Sequence, residues 1–483
     1  MTEVKSERSV PSARGAAPLL GHARRLARDP FGFLKSLSAG SGLVSMKLGP
    51  HPVVVVSDPT LTDQLLRDDR TFDKGGPLMD LVAPAVGRGL ATCPRSEHRA
   101  PRRLLQPLFH PKRLEGYVDG MVSAVRTVLD DWRDGDVLDV PLEMRKLSLR
   151  IAVSAFFSNQ LPPAVRDQTA DDMTAILVGF AQRLARPPLF DLLPTPANRR
   201  YKAALRRLRR MAADTVATRR ANAQDPGDDF LALLIDGKDA RGVPVHSERG
   251  EIDQLLTFLV APTATAGSVL SWALQELATK PGLQERLREE AQTVLVGSPA
   301  AAEHLGKLEF TKQVVTETLR MYPSLWFAPL RIVTADTQLG GYDLPAGTVV
   351  AFSPYLVQRS AEFYVDPDRF DPDRWDSASL PAPSRQAFIP FGTGARQCIA
   401  QDFAFNELVL ALATLAAQWR FEPVAGRPLP TRASVNLTPR ALYLRVFSRE
   451  NTEGGTATGV PSSQSAGARP GNRRPTSSPA WQI

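Results

Sequence analysis

The 483-residue chain predicts a mainly α protein with small β-sheets, organised as one large domain between a short leader and a polar tail. Three observations lead there. Apolar residues recur at helical spacing through most of residues 59–280, whereas alternating or β-branched runs are short and lie on either side of that region. An uncharged stretch at 255–274 is long enough to cross a bilayer, yet it carries Thr257, Pro262, Thr263, Thr265, Ser268 and Ser271 in mid-chain, so a buried central helix fits better than a membrane span. Residues 449–483 turn to Gly, Ser, Thr, Pro and Arg, which cannot bury enough surface to offset the entropy of ordering, and read as a disordered tail.

The elements follow in order. Residues 1–15 form a flexible leader and 16–448 the domain. After Asp29-Pro30, residues 31–37 read as a short helix; 43–48 and 53–56 read as strands joined through Gly49-Pro50, a hairpin. Residues 59–66 and 120–132 are helical, and 199–210 form a helix of high positive charge. Short β-segments occupy 330–352 around Gly340-Gly341, a Pro/Asp-rich stretch fills 366–376, an apolar helix spans 406–419, and 441–447 is a final strand.

With 43% apolar and 23% charged residues the chain has core enough to fold without staples. Its two cysteines, Cys93 and Cys398, exclude a disulfide framework and a Cys-rich zinc site, and suit a reducing cytoplasm. The N-terminus lacks the basic and apolar pattern of a secretion signal, so the expectation is a cytoplasmic protein without stable membrane insertion. The net charge of +8 admits acidic partners. Much of it sits at 199–210, where no aromatic interleaving suggests nucleic acid, and a solvated helix face is the simplest account.

Chemistry concentrates in Phe391-Gly-Thr-Gly-Ala-Arg-Gln-Cys398-Ile-Ala400, ahead of an apolar helix. A thiolate is favoured where backbone N–H groups and the positive end of a helix dipole face it, and Cys398 has that place. Gly392 and Gly394 permit a tight turn, Phe391 can shield the sulfur from water, and Arg396 can pair a carboxylate.

This segment resembles the haem-binding motif Phe-Gly-x-Gly-x-Arg-x-Cys of the cytochrome P450 family. Other landmarks fall in the same order: Glu317-Thr-Leu-Arg320 resembles the family's Glu-x-x-Arg, and Phe370-Asp-Pro-Asp-Arg374-Trp375 the segment whose arginine joins that pair. The resemblance implies a haem b (iron protoporphyrin IX) cofactor lying between the central helix and the cysteine loop. It also implies Cys398 as iron ligand and His98, Arg102 and Arg331 as contacts to the haem carboxylates, with Phe391 and Arg396 beside them. Thr265 falls on the threonine that the family uses over the distal haem face in proton delivery to O2. Ala264 stands where the family has an acid, and Pro262 where it has a glycine that distorts the helix, so proton delivery must run by another route and a proline bend is expected.

The same comparison places the substrate wall at Leu81, Val82, Phe180, Phe258, Ala261, Ala264, Leu325, Trp326, Phe327 and Leu437, an almost wholly apolar set. The style of the chain, including Thr71-Phe-Asp-Lys-Gly-Gly-Pro77, is similar to bacterial terpene oxygenases of the pentalenene-oxidising kind, with macrolide, polyketide and fatty acyl substrates as rivals. No flavin or nicotinamide fingerprint occurs. Electrons must therefore come from a separate ferredoxin or flavodoxin with its reductase, docking near Arg99, Arg103, Lys112 and Arg113. A peroxide-using or non-oxygenating enzyme, or a haem electron carrier or gas sensor, would be the alternatives.

Overall fold

The computed structural model describes residues 9–37, 42–157, 162–185, 188–221, 229–239, 241–376, 386–427, 436–439 and 441–449. Of the tail expected at 449–483 only Arg449 is among them, its guanidinium bonded to Glu285 at 2.9 Å and to the Trp419 carbonyl at 3.2 Å. Residues 11–13 add a rung to the first strand, with Ser45 N–H donating to the Pro11 carbonyl and Ala13 N–H to that of Ser45, both at 2.8 Å.

The domain is organised around the helix Glu248–Thr279, which is buried on nearly all sides. Ser247 caps it by accepting from Gly250 N–H at 3.2 Å, with Glu248 and Glu251 in the first turn to suit the dipole. Helix Val140–Phe156 packs along it, and helices Gln401–Gln418, Pro196–Ala221, Pro77–Val86 and Glu309–Met321 complete the surroundings. The apolar stretch that could have spanned a bilayer is thus the core of the fold.

A five-stranded sheet flanks the helices, in the spatial order Leu43–Leu48, His51–Val56, Val349–Phe352, Ala328–Val333, Phe72–Lys74. The hairpin expected at Gly49-Pro50 pairs Leu43 with Val56 through Leu48 with His51. His51–Val56 then runs parallel to Val349–Phe352, joining chain segments almost three hundred residues apart in one sheet. Val137–Asp139, Tyr443–Ser448 and Trp419–Pro423 form a smaller antiparallel sheet. Helix Pro59–Arg67 begins on Asp58, whose carboxylate accepts from Leu61 N–H at 2.7 Å, with Pro59 at the first helical position. This helix and the strand Phe72–Lys74 become the dock for the cysteine loop.

Candidate active site

Cys398 lies three residues before the helix Gln401–Gln418, in a loop folded by its own amides: Cys398 N–H donates to the Phe391 carbonyl at 2.9 Å and Gln397 N–H to that of Gly394 at 3.1 Å. Gly392 and Gly394 have φ of +69° and +72°, where an L side chain is strained. At Gly394 a Cβ would also lie 2.6 Å from the Leu66 carbonyl oxygen, so the loop sits directly on the backbone of helix Pro59–Arg67. Arg396 completes the attachment with bonds to Asp73 at 2.9 Å, Asp69 at 3.3 Å and the Cys93 carbonyl at 2.9 Å. The carboxylates that Arg396 pairs are therefore the chain's own.

The sulfur opens onto a cavity of about 320 Å³ whose opposite wall is the central helix. From Asp253 to Leu274 that helix exposes two residues, Ala261 and Thr265, with Pro262 half-buried between them. All three line the cavity, as do Phe258 and Leu325. One turn apart on one face, Ala261 and Thr265 look across at Cys398. The Thr265 hydroxyl donates to the Ala261 carbonyl at 2.8 Å. The helix is continuous through Pro262, and Thr263 gives its hydroxyl to the Leu259 carbonyl at 2.7 Å.

At one rim of the cavity stand Lys74, His98, Arg102 and Arg331. Burial pushes Lys74 down to about 7, with repulsion from Arg331 and Arg396 adding to it. Burial likewise takes Arg331 down to about 10 and His98 down to about 4, again with neighbouring cations contributing. Arg102 donates to the Gln397 carbonyl at 2.8 Å. Arg102, Arg331 and Lys74 crowded into a buried rim with a neutral His98 donor beside them, while Asp69 and Asp73 are committed to Arg396 and Arg95, favour an anionic guest. Two carboxylates on a flat apolar body meet that need, and haem propionates are such a pair. At the sulfur, burial raises the Cys398 thiol, opposed by the Ala400 N–H and the charges of Arg102 and Lys74.

Lys74 was missed in the sequence; its signal was a lysine on a short strand whose partner, Ala328–Val333, carries Arg331 directly opposite it. Ser324 was missed too. It lines the cavity, and its hydroxyl donates to the Thr265 carbonyl at 2.9 Å. Several predicted wall residues lie elsewhere. Trp326 and Leu437 are core residues, 8% and 1% exposed, and Phe327 packs beside them. Leu325 and Trp326 face opposite ways, and the Leu437 carbonyl is pinned to the central helix by Trp272 Nε1 at 2.6 Å. Ala264 is buried off the cavity, Val82 packs on the main core, and Phe180 is half-buried outside the cavity lining. The Leu81 side chain lies outside the described residues.

The structural pair behind the Cys loop is assembled as the motifs imply. Glu317 takes two bonds from Arg320, one from Arg374 Nε at 3.1 Å, one from Trp375 Nε1 at 2.9 Å and one from Asp371 N–H at 2.8 Å.

The cytochrome P450 family model matches residues 11–445. Pentalenene oxygenase of Streptomyces avermitilis is 38% identical over 91% of this chain and 97% of its own length. Cyclooctat-9-en-7-ol 5-monooxygenase of Streptomyces melanosporofaciens is 36% identical over 86% and 91%. The crystal structure of a cytochrome P450DA haem domain superposes with a TM-score of 0.81 over 92% of this chain and 99% of that one, at 23% identity, which shows the shared fold. With a cysteine loop, a cationic rim and a Glu-Arg-Arg cluster set as haem requires, the chain belongs to the cytochrome P450 family and is a haem-thiolate monooxygenase.

Proposed function

We propose that the protein oxidises a cyclic terpenoid hydrocarbon, or a sparsely oxygenated derivative of one, bound in the cavity between the central helix and Cys398. The observation that carries this reading is the wall. Phe156, Phe258, Ala261, Val269, Leu325 and Leu330 offer apolar surface, while Thr265 and Ser324 add hydroxyls at one point. Away from the cationic rim, such a wall binds by burying area, at about 25 cal/mol per Å², and offers few groups with which to hold a polar substrate. Relatives named for oxidising pentalenene and cyclooctat-9-en-7-ol support the same substrate class.

When bound, haem supplies the iron chemistry that activates O2 for transfer of one oxygen atom to the substrate. The chain's own groups act around it. Cys398 presents its sulfur from a loop held by Gly392, Gly394 and Arg396, while Lys74, His98, Arg102 and Arg331 hold the carboxylates. Thr265 Oγ1 is the atom that relays protons, because Ala264 offers none. Ser324 fixes the backbone at Thr265. The apolar wall keeps bulk water away from the reacting carbon.

Electrons come from an acidic ferredoxin or flavodoxin. Arg102 ties helix Arg95–Leu105 to the residue before Cys398, so this helix flanks the sulfur, and Arg99 and Arg103 on it are exposed, as is Lys112 just beyond. Such a basic face steers an acidic partner. The free cysteines suit a reducing cytoplasm.

Titration of the haem-loaded protein with cyclic terpene hydrocarbons, macrolides and fatty acids, followed by the haem absorption band, tests the substrate. A saturable change with the cyclic hydrocarbons is expected. A response confined to macrolides or fatty acids would overturn the assignment.

A further inference from the structure

Away from the cationic rim and the cysteine loop, the cavity lining carries three polar side chains among the described residues, the hydroxyls of Thr257, Thr265 and Ser324. The hydrogen of each is already committed. Thr265 donates to the Ala261 carbonyl at 2.8 Å, and Ser324 donates to the Thr265 carbonyl at 2.9 Å. Thr257 lies 2.9 Å from the carbonyls of both Val86 and Asp253, so two backbone acceptors compete for its one hydrogen. A hydroxyl has one hydrogen and two lone pairs. Toward the cavity these groups therefore offer lone pairs and no O–H.

The backbone adds to the same bias. Pro262 has no N–H, so the Phe258 carbonyl lacks the donor that would close its helical turn, and both residues line the cavity. The three hydroxyls differ in what else they do. Thr257 is packed beneath the loop before Cys93, where a Cβ on Gly89 would lie 2.1 Å from its oxygen, and Thr265 serves the proton path. Ser324 has neither task for its lone pairs, and no donor among the described residues reaches its oxygen. It stands between helix Glu309–Met321 and strand Ala328–Val333, beside Leu325 of the cavity wall. Leu437 N–H donates to its carbonyl at 3.0 Å, so the residue is held at its backbone as well as at its hydroxyl.

Resting on the reading of this cavity as a cyclic terpenoid site, we propose that the substrate already carries a hydroxyl group whose O–H donates to Ser324 Oγ, which makes Ser324 the residue that selects an alcohol over the ketone of the same skeleton. A ketone sets its lone pairs against those of Ser324, and neither partner has a hydrogen to give. A plain hydrocarbon covers the Ser324 oxygen with apolar surface and leaves its lone pairs unused. An alcohol supplies the one group that the wall lacks, while its rings bury against Phe258, Ala261 and Leu325. Ser324 acts here by direct contact with the substrate, and its bond to the Thr265 carbonyl fixes the direction in which its lone pairs are presented.

Titration of the haem-loaded full chain with decalin, decalol and decalone, the hydrocarbon, secondary alcohol and ketone of one fused bicyclic skeleton, tests it through the haem absorption band. Decalol should bind about two- to tenfold more tightly than decalone, the worth of one neutral hydrogen bond. In Ser324→Ala that preference should vanish. The ratio of the two affinities separates recognition from support: a variant that merely loosened the backbone at Thr265 would weaken all three ligands together and leave the ratio as it was. Decalone bound as tightly as decalol by the wild type, or an alcohol preference that survives Ser324→Ala, overturns the proposal and leaves the terpenoid reading standing. No response to any of the three overturns that reading, and this inference with it.

Discussion

Arg320 and Glu317 meet at two points, Nε to Oε2 and Nη2 to Oε1, each 2.8 Å, with neither side chain exposed to solvent. The remaining Arg320 donors reach the carbonyls of Pro367 at 2.8 Å, Gln358 at 2.9 Å and Arg369 at 3.2 Å. A buried pair is tolerable only when every donor and lone pair is used, and removing one partner strands the other. Arg320→Ala should therefore cost about 3–5 kcal/mol. Arg320→Lys should rescue little, because an ammonium cannot serve the planar fork. Chemical denaturation of both variants measures this; a lysine variant as stable as wild type would show that charge alone suffices.

The cation rim predicts opposite effects in the presence and absence of haem. Arg331 is buried, and its charge is opposed by Arg396. In the haem-free protein Arg331→Met removes a buried charge that burial and Arg396 disfavour more than Asp73 and Asp69 favour it, and should raise the unfolding midpoint. In the loaded protein the same change removes a charged hydrogen bond worth about 1.5–3 kcal/mol, or about ten- to a hundredfold in haem loss. Transfer of haem to an acceptor protein gives the second number. Equal haem retention would take Arg331 out of carboxylate binding.

The two cysteines should behave differently. Cys398→His should abolish the red-shifted Soret band of the reduced carbon monoxide complex, whereas Cys93→Ser should keep it, since Cys93 is buried at 2% exposure on the far side of Arg396. Loss of the band in the Cys93 variant would move the ligand assignment.

Thr265→Ala tests proton delivery. With Ala264 buried off the cavity, the hydroxyl at 265 has no neighbouring acid on the helix to share the task. A positioned proton donor contributes about 10²–10⁴ in rate, so product formed per electron pair should fall and hydrogen peroxide rise. Unchanged coupling would favour a peroxide-driven or non-oxygenating reaction.

Glu407, on the helix after Cys398, is buried, and its burial raises the carboxyl to about 8, tempered by the Ser148 hydroxyl. Its oxygens make no regular hydrogen bond. The acid is thus neutral in the folded state at pH 7 and ionised in the unfolded state. Because the folded state holds the proton between about 4.5 and 8, raising the pH through that window erodes stability. Glu407→Gln should flatten the pH dependence of the unfolding midpoint there and leave the variant the more stable at pH 8. A parallel pair of curves would show that the carboxylate ionises freely in the fold.

Local motifs made the ligand loop and the Glu-x-x-Arg pair legible, since a thiolate before a helix and an i,i+3 pair are properties of neighbours in sequence. Element bounds came out close for the same reason: expected strands at 43–48 and 53–56 match Leu43–Leu48 and His51–Val56. The cavity wall was less readable. Trp326 and Leu325 are adjacent and both apolar, and only packing decides that one seals the core while the other lines the cavity. Lys74 is visible as a site residue only once the strand register sets it across from Arg331.

The attachment of Arg396 to Asp69, across 327 residues of chain, has a consequence for biosynthesis. The platform that receives the sulfur leaves the ribosome more than three hundred residues ahead of the loop that carries it. A nascent chain therefore holds its platform exposed and unpartnered by Arg396 through the synthesis of most of the domain, and a chain that stops short of Arg396 never closes this contact.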